Sequence, residues 1–261
     1  LTQRDPAANV STLSGDIGVA GNKSDNSYHV VNGFEVNAVV LDGFTISGGN
    51  ANVPSVRANS IGAGMNLYKT EGTLNQLIFT NNYAVQLGGG SAINRSTPVM
   101  SNITYLNNRS GNTGGGLALY LSDLTITNAR FENNSADVNG GGMYNEECDP
   151  TLNQVTFIGN TSTDYSGALF NYDSGPKVTD AIFDGNSSGH IGGAVTNSGR
   201  TPVYKNVVFS NNTSTEGGAV ANYRGTITYQ NVTFTGNSSK NNGGAVFNEL
   251  TTVIFTDTEF T

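Results

Sequence analysis

The sequence predicts an all-β chain: a right-handed parallel β-helix of about 26 residues per coil, with three short strands in each coil. Three observations predict it. An aromatic residue recurs at Phe79, Tyr105, Phe131, Phe157, Phe183, Phe209, Phe234 and Phe260, with spacings of 26, 26, 26, 26, 26, 25 and 26. Three residues after each of the first seven stands an asparagine: Asn82, Asn108, Asn134, Asn160, Asn186, Asn212 and Asn237. A small-residue triplet follows eight or nine residues after the aromatic, as in Gly114-Gly115-Gly116 and Gly243-Gly244-Ala245. A fixed period of this length marks one structural unit stacked on copies of itself.

The strands follow from the columns that this period generates. Five residues before the aromatic the column is apolar, through Leu74, Met100, Ile126, Leu152 and Val178 to Tyr204. Two before it, Leu77, Ile103, Ala129, Val155 and Val207 form a second column. The aromatics are the third. Leu117, Met143, Leu169, Val195, Val220 and Val246, after the triplets, are the fourth. Short β-branched runs between Asn, Gly and Ser turns read as strands, and no stretch carries helical spacing. These columns face inward, and successive coils pair in parallel about 4.8 Å apart. Right-handed winding is the rule for parallel crossovers. Nine markers, counting Phe44, make a rod on the order of 40 Å long at that spacing.

The asparagines have a structural reason to recur. A stacked amide donates to the amide of the next coil and satisfies turn backbone. Asn82 to Asn237 form one expected ladder, and Asn94, Asn145, Asn171, Asn197, Asn222 and Asn248 a second. A third polar column runs through Gln76, Asn102, Asn128, Gln154, Asp180, Asn206, Asn231 and Asp257. Ladder geometry explains the sequons at Asn102, Asn186 and Asn231 better than glycosylation does.

The whole chain, 1–261, reads as one β-helix domain. Residues 1–43 form a degenerate first coil, with strands at Ser11 to Asp16 and Ser27 to Val31. Residues 44–261 form regular coils. Phe44 and the Gly62-Ala63-Gly64 triplet stand 18 residues apart, so about nine residues are inserted near 48–60 and should project from the rod. The coil after Phe209 is one residue short. The chain starts at Leu1 without a signal peptide and stops mid-coil at Thr261. A processed segment, and end-to-end pairing of strand edges, are the expectations there.

Composition narrows the function classes. Only 12% of residues are charged, yet the net charge is −8. Nucleic acid and anionic membranes need clustered Lys and Arg, so neither is expected as a partner. A single cysteine, Cys148, allows no internal disulfide. No run of about 20 apolar residues is present to span a membrane as a helix.

The repeat resembles that of the polymorphic outer-membrane proteins, with its Gly-Gly-Ala-(Ile/Leu/Val) and Phe-x-x-Asn signatures. They stand here as Gly192-Gly-Ala-Val195, Gly217-Gly-Ala-Val220, Gly243-Gly-Ala-Val246 and Phe183-x-x-Asn186. The opening segments Thr12 to Ile17, Ser27 to Val31 and Val40 to Ile46 are similar to those of secreted bacterial β-helix proteins. The resemblance covers roughly Phe44 to Phe260. It implies a bacterial surface or secreted, adhesin-like module. The fold itself hosts lyases, hydrolases, adhesins and toxins, so activity has to be argued from the site.

Catalytic signals are sparse, and no catalytic residue is assigned. No G-x-S-x-G elbow or transition-metal ligand spacing occurs, and the glycine triplets precede no Lys-Ser/Thr of a phosphate loop. Asp123 and Asp149 occupy one column in consecutive coils, and Glu146, Glu147 and Asp173 lie near them. Hard cations favour such carboxylates, so calcium at Asp123, Glu147 and Asp149 is the one ion the pattern suits. No other cofactor is expected. A lyase or glycoside hydrolase acting on an acidic polysaccharide would draw on Asp123, Glu146 and Asp149. Asp164, His190 and Glu216 stand seven residues past their markers and form a second coincidence. An ice-binding threonine array is ruled out by Ile78, Arg130, Val208 and Glu259 in the column just before the aromatic. The outward columns thirteen and fifteen past the marker carry Tyr144 and Phe170, and Tyr120, Glu146 and Tyr172. Aromatics beside carboxylates stack on sugar rings, so a glycan or cell-surface ligand is expected on that face. A purely structural spacer of a longer fibre is the remaining class.

Overall fold

The structure, a computed structural model, describes residues 8–261. The expected first coil over 1–43 begins in residues 1–7, which lie outside the described residues. Within the described residues the chain winds into a parallel β-solenoid with three sheets of eleven, eight and nine strands. Every strand pair is parallel, and a strand meets the equivalent strand of the next coil. Each regular coil carries a long strand such as Thr151–Ile158, a two-residue strand such as Thr161–Ser162 and a four-residue strand such as Leu169–Tyr172.

The long strand holds three of the inward columns, and simple alternation does not explain how. Leu152 and Val155 are three residues apart, yet both point into the core. The reason is Gln154, which adopts φ 52° and is skipped in the pairing register. The same left-handed residue recurs at Asn102, Asn128, Asp180, Asn206, Asn231 and Asp257. The third polar column is therefore first a column of bends. One extra residue resets the inward face between the two halves of the strand. Asn and Asp tolerate this conformation better than other non-glycine residues. Amide contacts such as Asn128 Nδ2 to Asn102 Oδ1, 2.6 Å, come in addition.

The core is a row of stacked rings. Phe79, Tyr105, Phe131, Phe157, Phe183, Phe209, Phe234 and Phe260 follow one another with centroids 4.5–5.0 Å apart. Beside it runs the first asparagine ladder. Asn160 Nδ2 donates to Asn186 Oδ1 at 3.0 Å and to the Phe131 carbonyl at 2.9 Å. The pattern holds from Asn82 through Asn108, Asn134, Asn186 and Asn212 to Asn237.

The second ladder is shorter than expected. Asn145, Asn171, Asn197 and Asn222 each donate to the amide oxygen of the next at 2.8 Å, and Asn248 accepts the last bond. Asn94 is not part of it. Asn94 pairs in register with Tyr120, and the ladder position in its coil belongs to Ile93. Further down the rod Tyr204 and Tyr229 replace aliphatic residues and cap ladder amides, donating to Asn197 and Asn222.

Glycine is favoured where the coil turns into the four-residue strand. Gly114 lies at φ 66°, and a Cβ on Gly115 would stand 2.3 Å from the Ser135 carbonyl oxygen. Ser166 takes the same left-handed position in its coil at φ 55°. The N-terminal elements also differ from expectation: the buried Ile46, not Phe44, stands in register with Phe79. The strand expected at Ser27 to Val31 forms instead at Val31–Phe34, where it pairs with Met65–Tyr68. The insertion falls after the Asn50–Ala51 strand and contains a short 3-10 turn, Arg57–Asn59. It does not simply project. His29 holds it through the Ala58 and Gly62 carbonyls, and Gln86 Nε2 donates to the Pro54 carbonyl at 3.0 Å.

Candidate ligand-binding groove

The outer face of the nine-stranded sheet forms a groove along the rod. In each four-residue strand the first and third side chains face the core, and the second and fourth face outward. The turn before each strand lifts one residue over this outer face. Ile61, Leu87, Thr113, Asn139, Tyr165, Ile191 and Glu216 occupy that place, linked coil to coil by single parallel bridges. They form one wall, and the outward side chains form the floor and the opposite edge.

Two bays lie along this groove. The first, about 460 Å³, is bounded by Arg57, Leu87, Thr113, Asn139, Tyr120 and Glu146. The second, about 570 Å³, is bounded by Tyr165, Tyr172, Ile191, Glu216, Tyr223 and Glu249. The floor sets their positions. Small Ala92 and Ala118 floor the first, whereas in the next two coils the same column carries Tyr144 and Phe170. These rings stack with centroids 5.7 Å apart, and Tyr165 closes on Phe170 edge-on at 5.8 Å. An aromatic ridge thus separates the bays.

The expected site residues reach this groove, with one correction in exposure. Tyr120, Tyr144 and Glu146 line the first bay, and Phe170 and Tyr172 the second. Phe170 is not solvent-facing: it is only 8% exposed, because Tyr144 and Tyr165 cover it. Tyr172 is 48% exposed. Tyr144 donates to Glu146 Oε2 at 3.1 Å. Burial, then the Glu146 charge, pushes the Tyr144 hydroxyl well above the usual phenol range. Burial with Glu216 and Glu249 nearby pushes Tyr223 up to about 12. Both phenols are neutral hydrogen-bonding groups at ordinary pH.

The first bay holds polar atoms that no protein group satisfies. Asn94 Oδ1, Thr113 Oγ1 and Asn139 Oδ1 are buried without a hydrogen-bond partner. All three residues line the bay, and Thr113 is only 5% exposed. Such atoms cost about 1–3 kcal/mol each when left unpaired. Sequence reading missed Thr113 and Asn139, because their column mixes apolar, hydroxyl, amide and acidic side chains. It also missed Arg57, which the insertion carries to the mouth of the bay.

The acidic turn lies beyond this face and is built differently. Asp123 Oδ1 accepts from the Asp149 backbone N–H at 2.6 Å, and Asp149 Oδ1 from that of Gly175 at 2.7 Å. Arg200 Nη1 also reaches Asp149 Oδ1 at 2.9 Å, and Arg200 Nε stands 3.6 Å from Asp173 Oδ1. These carboxylates cap the next coil, and Arg200 is the basic partner absent from the sequence reading. Glu147 sits at an exposed left-handed corner, φ 54°. Among the described residues no group of three acidic, histidine or cysteine side chains converges to hold a metal ion. The Asp164, His190 and Glu216 coincidence also separates. His190 Nδ1 lies 3.3 Å from Asp164, but the missing residue of the short coil moves Glu216 into register with Ile191, on the groove wall.

The Chlamydia polymorphic membrane protein repeat matches this sequence at residues 206–223 and 231–249. Two consecutive coils near the C-terminal end of the rod are thus similar to the polymorphic-membrane-protein repeat. The first matched segment spans the bend at Asn206, the Phe209 and Asn212 ladder positions, and the groove residues Glu216 and Tyr223. The repeat indicates a bacterial outer-membrane or surface protein. No curated protein and no solved structure matches the chain significantly. Among the described residues no helix is long and apolar enough to cross a membrane.

Proposed function

We propose that this rod is an adhesion module that holds a carbohydrate in the groove of its nine-stranded sheet. One observation carries the reading: the partly exposed Tyr120 and Tyr144 stand beside buried, unpaired polar atoms in a single bay. Sugars present apolar ring faces and hydroxyls together. Tyrosine rings supply the stacking surface, and Asn94, Thr113 and Asn139 supply the hydrogen-bond partners. Adhesion fits better than turnover. Glu146 is tied to Tyr144, and the Asp149 carboxylate is held by Arg200 and Gly175.

A glycan array probed with the wild-type chain and with Tyr144→Ala plus Tyr172→Ala tests the reading. Binding by the wild type that falls in the double variant is the expected result. Binding that survives both substitutions rejects this face. Release of unsaturated ends from acidic polysaccharides, followed by absorbance with and without chelator, tests for lyase activity; none is expected.

A further inference from the structure

The groove carries a periodicity finer than a list of its residues. Below Phe34, which stacks on Tyr68 in the first strand of the sheet, the fourth outward position of consecutive strands runs Tyr68, Asn94, Tyr120, Glu146, Tyr172, Ser198, Tyr223 and Glu249, each paired in register with the next. Tyrosine and a hydrogen-bonding side chain alternate without exception over these eight coils. Rings on every second coil stand about 9.6 Å apart at the usual strand spacing. Core packing does not impose this, because these side chains point outward and each tyrosine is at least partly exposed. Tyr120 and Tyr172 stack on no other ring among the described residues, unlike Tyr144 and Phe170 one column away.

We propose that the ligand is an extended β-1,4-linked polysaccharide lying along the rod axis, with one disaccharide for every two coils. This rests on the glycan reading above. In such a chain each pyranose advances by close to one inter-strand distance. Successive rings face alternate sides, so the same ring face returns on every second sugar. Alternating Tyr and polar side chains match that repeat: a ring stacks on one sugar, and Asn94, Glu146 or Ser198 meets the hydroxyls or acetamido group of the next. An α-1,4-linked chain coils and loses the register within a few sugars. Charge narrows the class further. Glu146, Glu216 and Glu249 outnumber Arg57 and Arg224 in the two bays, and the chain carries net charge −8. A polyanionic chain is repelled there, so the polymer is neutral or amino-substituted.

The test titrates the full chain with cello- and chito-oligosaccharides from disaccharide to hexasaccharide, and with maltohexaose, by calorimetry. A hexasaccharide covers about six coils at one sugar per coil. In at least one β-1,4 series the affinity should rise about tenfold or more from disaccharide to hexasaccharide, as each added stacking contact contributes. Maltohexaose should gain nothing from its length. The deciding variant moves one ring by one coil: Tyr172→Ser with Ser198→Tyr keeps the number of rings and breaks their spacing. It should weaken hexasaccharide binding about tenfold, whereas Tyr172→Phe keeps the wild-type affinity. Melting curves of both variants separate misfolding from lost register. Equal affinity for disaccharide and hexasaccharide, or full affinity in the ring-shifted variant, overturns the extended-chain inference and leaves a glycan-binding groove standing. Failure of every glycan on the array to bind overturns both.

Discussion

Asn160 shows how one residue type does structural work in this chain. Its side chain makes four hydrogen bonds, two given to Asn186 and the Phe131 carbonyl and two accepted from Asn134, and it has no exposed surface. Asn160→Ala removes all four bonds and takes the acceptor from the buried Asn134 backbone N–H, while Asn134 Nδ2 keeps the Tyr105 carbonyl and Asn186 Oδ1 keeps the backbone N–H of residue 160. At about 1 kcal/mol for each bond lost, the loss should reach at least about 3 kcal/mol. The urea midpoint measures it, and a shift near zero would mean that water replaces the ladder. The buried tyrosines make a pH prediction. Burial holds the Tyr105, Tyr204 and Tyr229 hydroxyls well above the usual phenol range, against hydrogen bonds to Ser91, Asn197 and Asn222. Their folded pKa values are raised, so this contribution is fully present below the unfolded value near 10 and is lost as pH rises above it. The unfolded chain then binds fewer protons, and stability should fall by about 1.4 kcal/mol per pH unit for each tyrosine. Thermal melts from about pH 8 to about pH 12 check this; a flat melting temperature contradicts it.

At the scale of the element, the long strand depends on its bend. Gln154 holds φ 52° on an exposed surface, a conformation disfavoured by roughly 1–2 kcal/mol for most L-residues. Gln154→Gly should therefore leave stability unchanged or raise it, and Gln154→Val should lower it by about 1–2 kcal/mol. Denaturant titration of the pair decides whether the bend or the amide contacts set the preference for polar residues there. The same element shows what was legible in the sequence. Phe79 to Phe260 and Asn82 to Asn237 were readable because each must fit an identical slot in every coil. The bend was visible only as a polar column, because the three-residue step from Leu152 to Val155 contradicts period-two alternation without saying where the extra residue goes. The groove was half legible. Tyr120 and Tyr172 were found, but the cover over Phe170 was not, since wall residues from Ile61 to Glu216 share a place and no chemistry. Asn94 was assigned to a ladder one residue away, because its coil places Ile93 where later coils place asparagine.

At the scale of the molecule, a solenoid is held together between neighbouring coils only, so a weak coil splits it. Phe157 sits mid-stack, with Phe131 and Phe183 at 4.5 and 4.8 Å. Phe157→Ala should cost about 3–5 kcal/mol and, by uncoupling the two halves, lower the denaturant slope as well as the midpoint. An unchanged slope would show that the rod still unfolds as one unit. The same regularity makes the outer face a ruler, since side chains on successive coils stand at a fixed spacing along the axis. The central claim, that the groove of the nine-stranded sheet holds a glycan, is tested most directly by nuclear magnetic resonance of the ring-labelled tyrosines during titration with chitohexaose and cellohexaose. Shifts confined to the groove tyrosines, Tyr68, Tyr120, Tyr144, Tyr165, Tyr172 and Tyr223, with the buried Tyr105 and Tyr204 unmoved, are the predicted result. Rings that stay still throughout, or shifts only at tyrosines outside the groove, would contradict it.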